Sequence, residues 1–314
     1  KLTYIVGKNS NLSKNLVSNL KNSELVSLED LIKKKKINKN KKICLIINKF
    51  YPSSKLNNID TLENFYKSSV LYTARLLDLI NGLNISNIIY SSSSSVYNSI
   101  GNDNYLGNRD LYSSAKISCE NMIKNFCKKN KINFVIARIF NMYGGNDQFS
   151  IISKIQNAIK NKKTIFLNNK GESIRDFIHI KDVCKIYKRL IDRKESCTID
   201  IGTGKGIKIV DLANSLSPKL KFKLKDSSNE EIENSIADNE FIRNKLKYKS
   251  FISLESFFKK KGNISLKFLD SFKIEYYKKN NIQKLSDYQK ILNIDINYER
   301  ILKKKISNIK LNKK

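Results

Sequence analysis

The sequence predicts an α/β fold around a mostly parallel, doubly wound sheet. Three observations carry that prediction: short β-rich apolar runs alternate with helix-length stripes, the first run stops at a glycine that opens a helix, and the fourth ends in five consecutive serines. Parallel neighbours need a crossover long enough for a helix, so alternation of this kind implies a parallel sheet. A chain of 314 residues can bury the core of one large α/β domain with a smaller partner.

Residues 2–6 (LTYIV) form the first strand, and Leu12, Leu16 and Leu20 repeat at helical spacing after Gly7. Residues 24–29 (ELVSLE) read as the second strand and 43–48 (ICLIIN) as a buried third, with little room for another strand between them. From Asp60 a single helix is expected to carry Leu62, Phe65, Ser69, Thr73, Leu76 and Ile80 on one stripe, with Gly82 as its stop. Residues 86–90 (SNIIY) make the fourth strand. The serine run lies at its carboxyl end, where open parallel sheets bind their ligands. A helix through Ala115, Cys119, Met122 and Phe126 follows. Strands at 134–138, 164–167 and 198–201 come next, with a helix through Ile151, Ile155 and Ile159 between the first two. The stretch from Gly262 is lysine-rich with broken helical patches, and is expected to be peripheral to any site.

Lys and Arg total 60 against 29 acidic residues, a net charge of +31. Such a balance suits nucleic acid or an anionic membrane. The lysines, however, are interleaved with Asn and Ile along the whole chain and lack the regular aromatic interleaving of single-strand binders. The excess therefore reads mainly as coding bias with some benefit for an anionic substrate, and nucleic acid is not expected as a partner. The five cysteines form no CxxC pair and are accompanied by one imidazole, His179. Neither a disulfide framework nor a zinc site is expected, and a reducing cytoplasm fits. No apolar run approaches the length of a membrane span, and no signal-peptide core opens the chain.

Tyr112 and Lys116 are four residues apart, one turn of a helix. A phenol, with a pKa of about 10, is a poor base near neutrality unless a cation lies beside it. Lys116 supplies that charge. These two residues belong to an ordered series: SSSSSVY, YSSAK, ARIFNMYGG, GESIRDFIHIKDV, IDIGTGKGIKIVDLA and ADNEFIRNKLKY. The series resembles the extended short-chain dehydrogenase/reductase family and, within it, the NAD-dependent epimerases and dehydratases acting on nucleotide sugars. It runs from residue 1 to about residue 258 in the family's own order.

The resemblance implies a Rossmann-type NAD domain at 1–140 plus 176–203, a smaller substrate-binding part at 141–175 plus 204–261, and an extension at 262–314. It assigns catalysis to Ser93, Tyr112 and Lys116. Tyr112 takes the hydroxyl proton; Ser93, three places before the Val-Tyr pair, aligns the oxygen; Lys116 holds the nicotinamide ribose and lowers the tyrosine's pKa. Cofactor contacts fall on Gly7, Ser10, Leu12, Ser13, Glu29, Lys116 and Phe140, and substrate contacts on Ser93, Asn141 and Arg175. A buried ion pair is the alternative reading of Arg175 with Asp176, and His179 looks like a packing residue. The implied cofactor is NAD and the implied partner a nucleotide-sugar substrate; homodimers are common in the family, which leaves a homodimer open.

The chain also departs from the family. In the G-x-x-G-x-x-G phosphate loop only Gly7 is kept, with Ser10 and Ser13 in the other two places. Glu29 falls 22 residues after Gly7, at the expected end of the second strand, where a carboxylate accepts the adenosine ribose hydroxyls and favours NAD over NADP. The family's small-residue turn after its fourth strand is NKFYP here, with Phe50 and Tyr51, and its supporting helix asparagine aligns with Ser69. Dehydratases carry a carboxylic acid pair directly after the catalytic hydroxyl residue, and decarboxylases a glutamate just before the Val-Tyr pair. Those positions are Ser94 and Ser95, whose hydroxyls cannot act as acid and base near neutrality. The expected activity is therefore that of an epimerase or ketoreductase working through a transient 4-keto sugar. The alternative is a degenerate relative, without catalysis, that binds nucleotide or RNA through its basic surface.

Overall fold

The computed structural model describes residues 2–37, 41–52, 55, 59–97, 108–226 and 233–262. In chain order the elements are β1 (Leu2–Val6), α1 (Asn11–Asn19), β2 (Ser23–Val26), α2 (Leu28–Ile37), β3 (Ile43–Ile47), α3 (Leu62–Ser68), α4 (Val70–Ile80), β4 (Ile85–Ser93) and α5 (Asn108–Lys129). There follow β5 (Asn133–Ile139), β6 (Asn141–Tyr143), α6 (Ile151–Lys160), β7 (Thr164–Leu167), β8 (Ile174–His179), α7 (Ile180–Leu190), β9 (Cys197–Ile201) and β10 (Gly206–Lys208). The described chain closes with α8 (Ile209–Ser215), β11 (Lys221–Leu224), β12 (Asn234–Ser235), α9 (Glu240–Asn244) and α10 (Leu254–Gly262).

The main sheet runs β2-β1-β3-β4-β5-β9 and every pairing in it is parallel. Its inner strands β1, β3, β4 and β5 are largely buried on both faces. Tyr4, Val6, Leu45, Ile47, Ile88, Tyr90 and Ile136 meet α4 and α5, through Leu76, Ile80, Ala115, Cys119, Ile123 and Cys127. The alternate residues Ile5, Cys44, Ile46, Ile89, Val135 and Ala137 meet α1 and α7, through Leu12, Leu16, Val183, Ile186 and Leu190. Two covered faces explain why the strands read as continuous apolar runs. A third cluster, built around Tyr143, Ile152, Ile155, Phe177, Leu212 and Phe258, sits under the smaller lobe. There β8 pairs with β6, β10 and β12, and β7 with β11.

Doubly wound sheets of this type commonly run 3-2-1-4-5-6. The chain passes from β2 through one helix directly to β3 beside β1, so the outermost strand of the first half is missing among the described residues. This agrees with the short spacing between the second and third runs. The NKFYP turn consequently follows the third strand rather than a fourth.

Four expectations need correction. The helix from Asp60 is two helices, broken at Ser69 (φ −120°, ψ −86°). The Ser69 hydroxyl donates to the Phe65 carbonyl and its N–H turns to Tyr66, so side-chain back-bonding replaces one helical step. Leu62 lies off the buried stripe at 61% exposure. On α5 the deepest positions are Ala115, Cys119, Ile123 and Cys127, with Met122 and Phe126 packed at the margin. The second strand stops at Val26, which places Glu29 on a helix. No helix of the described residues is long and apolar enough to cross a membrane. The stretch 263–314 lies outside the described residues.

Candidate active site

Gly7 holds the turn after β1 at φ +113°, and a Cβ there would lie 2.9 Å from the Lys49 backbone nitrogen. Only glycine combines that torsion with so close an approach. Ser10 and Ser13 occupy glycine places with their own functions. Ser10 caps α1, accepting from the Ser13 N–H at 3.4 Å. Ser13 is fully buried, and its hydroxyl accepts from Asn48 Nδ2 at 3.0 Å. The Leu12 side chain belongs to the core, so Leu12 can meet a ligand only through its backbone. Asn11, beside it, donates to the Gly144 carbonyl at 3.0 Å and accepts from Asn146 N at 3.0 Å, stapling the loop to the double-glycine turn after β6.

The serine run is not slack. Ser91, Ser92 and Ser93 continue β4, and residues 94–97 make one 3₁₀ turn. Ser91 donates to Asn48 Oδ1 and lies 2.6 Å from the Tyr187 hydroxyl. Ser92 donates to Glu120 Oε1 at 2.6 Å. Ser93, half-buried, accepts from the amide and the hydroxyl of Ser95 at 3.2 and 3.0 Å. Thus Ser91 and Ser92 anchor the strand end, and Ser93 stands at the rim with Ser94 and Ser95.

Helix α5 is tied to that rim on both sides of Tyr112 and Lys116. Ser113 donates to the Ser95 carbonyl at 2.9 Å and Lys116 Nζ to the Ser91 carbonyl at 2.8 Å. Lys116 is only 4% exposed and burial brings its pKa down to about 7. Its ammonium lies 4.0 Å from the Phe50 ring centre and 4.8 Å from that of Tyr90, aromatic faces that favour the charged form. Tyr112 meets Phe50 edge-on, centroids 5.1 Å apart. Burial pushes the Tyr112 phenol above its usual range, the reverse of the expected depression by Lys116, whose nitrogen is 5.8 Å from the tyrosine ring centre.

The remaining expected residues lie at the same sheet edge or around β8. Phe140 is buried between β5 and β6, its N–H bonded to the Ile201 carbonyl. Asn141 donates to the Asp176 carbonyl at 3.1 Å. Arg175 is buried and donates to the carbonyls of Ile174 and Glu233 at 2.9 and 3.2 Å. Asp176 accepts from Thr203 N and Oγ1, Gly204 N and Ala237 N at 2.6–3.3 Å, and burial lifts its pKa to about 6. His179 caps α7 through Nδ1 and packs against Tyr143, which agrees with a packing role. Glu29 stands exposed on the first turn of α2.

Sequence reasoning missed four partners. Glu120 is clasped by Arg138 through two bonds of 2.8 and 3.1 Å, and Arg138 stacks on Tyr97 at 4.7 Å. Burial alone would raise Glu120, but the hydrogen bonds from Arg138 and Ser92 hold it below its ordinary pKa. Its position one turn beyond Lys116 was a visible signal. Asn48 and Tyr187 bracket Ser91 from elements 43 and 96 residues away, a contact without a local signature.

A parallel sheet covered on both faces, with a helix-borne tyrosine and lysine at the carboxyl end of its fourth strand, defines a Rossmann-type α/β protein. Comparison with known proteins narrows this. The chain belongs to the NAD dependent epimerase/dehydratase family, whose model matches residues 6–202. It is similar to mouse UDP-glucose 4-epimerase, 26% identical over 185 residues, covering 49% of this chain and 52% of the relative. It is also similar to dTDP-D-glucose 4,6-dehydratase of Dictyostelium discoideum, 24% identical over 216 residues, covering 63% and 48%. The chain spans about half the length of these curated relatives. Among solved structures, UDP-glucuronic acid 4-epimerase from Bacillus cereus, in complex with UDP-glucuronic acid and NAD, shares the fold at a TM-score of 0.70 and 18% identity, over 84% of this chain and 99% of that one.

Proposed function

We propose that the protein is an NAD-dependent nucleotide-sugar epimerase or ketoreductase that works through a transient 4-keto sugar. The observation that carries this reading is the tethering of the Tyr112–Lys116 turn to the serine strand, through Ser113 to Ser95 and Lys116 to Ser91. Family membership and the named activities of its relatives support it.

In this reading residues 1–140 with 176–203 hold the dinucleotide, and 141–175 with 204–261 hold the sugar. The residues present fit NAD: Gly7 lets the loop backbone run close to a pyrophosphate, and the start of α1 offers amides to it. Bound NAD supplies a hydride acceptor and donor. Tyr112 takes the sugar hydroxyl proton at its phenol oxygen and returns it, a role that requires the positive charge of Lys116 together with that which bound oxidised NAD would bring to offset the burial that raises the phenol, while Ser93 aligns the hydroxyl. Lys116 would support the nicotinamide ribose, and Phe140 would flank the nicotinamide. Asn141 and Arg175 serve the diphosphate, Arg175 through its permanent charge. Five free thiols suit a reducing cytoplasm.

Elimination of water is disfavoured because Ser94 and Ser95 stand where a dehydratase needs carboxyl groups, and the carboxylate that Ser92 does reach, Glu120, is committed to Arg138. The test is incubation with NAD and a panel of UDP-, GDP- and dTDP-hexoses, read by mass spectrometry. An isomer of unchanged mass, or a reduced sugar from a keto substrate, lost in Tyr112→Phe, is expected. Loss of water or carbon dioxide would refute the assignment.

A further inference from the structure

Ser92 on β4, Arg138 on β5 and Asp200 on β9 are paired in register, so they form a polar row on one face of the sheet across three parallel strands. Glu120 from α5 covers the first half of the row, accepting from Ser92 at 2.6 Å and from Arg138 at 2.8 and 3.1 Å. Tyr97, the last residue of the 3₁₀ turn that follows Ser93, covers the second half. Its ring centre lies 4.7 Å from the Arg138 guanidinium carbon, and its hydroxyl donates to Asp200 Oδ1. Tyr97 is 44% exposed, so these two contacts rather than burial fix its place.

The other oxygen of Asp200 accepts from the Asp238 amide at 3.1 Å. Asp238 lies in a segment stitched down at three successive residues: Ala237 N donates to Asp176 at 3.3 Å, and Asn239 Nδ2 donates to the Thr203 carbonyl. Of the three stitches, that of Asp238 alone continues toward the serine strand, because Asp200 holds Tyr97 with its second oxygen. Burial raises the Asp200 carboxyl, and the bonds from Tyr97 and the Asp238 amide oppose the rise. A carboxylate taken out of water depends on such donors. Earlier in the same segment, the Glu233 carbonyl accepts from Arg175 at 3.2 Å. At the far end of the connection Ser95, within the Tyr97 turn, donates to Ser93 through its amide and its hydroxyl.

We propose that Asp200 and Tyr97 are positioning residues that transmit substrate engagement from the 233–239 segment to Ser93. This rests on the nucleotide-sugar reading above, in which Arg175 serves the diphosphate and Ser93 aligns the hydroxyl. A diphosphate that draws on Arg175 competes with the Glu233 carbonyl for its donors. The segment released at that point is tied through Asp238, Asp200 and Tyr97 to the turn whose Ser95 orients Ser93. Neither Asp200 nor Tyr97 meets the reacting atoms; both act through the place they give that serine.

Hydrogen–deuterium exchange of the full chain, read by mass spectrometry, tests the link without any substrate. Tyr97→Phe keeps the ring on Arg138 and removes the donor to Asp200. It is expected to speed exchange about fivefold at residues 233–239 as well as at 94–97, as loss of one hydrogen bond predicts. Asp200→Ala, which loses both bonds, should do so more strongly, and adding Tyr97→Phe to it should change nothing further. With a panel hexose that the wild-type protein converts, Tyr97→Phe should lower kcat about tenfold and leave KM within about twofold, a split that lost stability alone does not produce. The assignment is overturned if Tyr97→Phe leaves exchange at 233–239 unchanged, or if its kcat stays within about twofold of wild type. Coupled exchange in a protein that converts no hexose would sink the epimerase or ketoreductase reading and leave the Asp200 link standing.

Discussion

At the β1 end of the sheet's carboxyl edge, Gly7 alone keeps its family residue, and side chains have taken over the remaining work: Ser10 caps the helix and Ser13 is bonded to Asn48. At the β4 end Ser93, Tyr112 and Lys116, the residues proposed to react, are all present, and the residues beside them are tied down through Glu120, Arg138, Tyr187 and the Ser95 carbonyl. The difference shows what each end requires. A loop that meets its ligand through backbone amides tolerates new side chains while the backbone path survives, whereas a proton-transfer site depends on the side chains themselves. Asn48 joins the two ends, bonded to Ser13 on one side and Ser91 on the other.

If this contrast is right, substitutions at the β4 end are the costlier ones. Glu120→Ala leaves the Arg138 guanidinium without its buried partner and is expected to cost about 3–5 kcal/mol in urea unfolding. A loss below about 1 kcal/mol would mean that solvent already compensates the pair. Gly7→Ala forces a side chain into the +113° torsion against Lys49; a loss of about 1–3 kcal/mol follows from the backbone alone, together with failure to bind NAD. Phe50→Leu uncovers one face of Lys116, so calorimetry should show NAD binding tighter by up to about tenfold, roughly 1.4 kcal/mol; unchanged affinity would show that the ring does not compete with the cofactor. Ser13→Ala removes the acceptor of Asn48 and is expected to cost about 1 kcal/mol in the same unfolding assay. A Ser13 effect as large as that of Glu120 would erase the distinction between the two ends.

Much of the fold was legible because both faces of the sheet are covered, which turns β1, β3, β4 and β5 into uninterrupted apolar runs. Order and spacing single out Gly7, Ser93, Tyr112 and Lys116 as the proposed site, and the structure sets Gly7 after β1 and the other three at the end of β4 and on α5. Glu29 was misplaced because ELVSLE continues to alternate past Val26, although the Ser27–Asp30 spacing is itself a helix-start signature. The break at Ser69 escaped because the buried positions Phe65, Ser69 and Thr73 keep helical spacing across it. The reversal at Tyr112 was invisible for a different reason: Phe50 reaches the tyrosine and the lysine from another element, and no spacing rule encodes a contact of that kind.

The shortened sheet has a consequence for one flank of the molecule. With no strand beyond it among the described residues, β2 presents its outer backbone groups as an open edge. Such an edge invites another chain to add itself by hydrogen bonding. Four residues give an incoming strand few bonds to form, and two chains each carrying a net +31 must be forced together against their own repulsion. Brevity and charge thus guard a flank that the doubly wound pattern ordinarily protects with another strand, and the guard is salt-dependent: in concentrated salt the repulsion fades while the open edge remains.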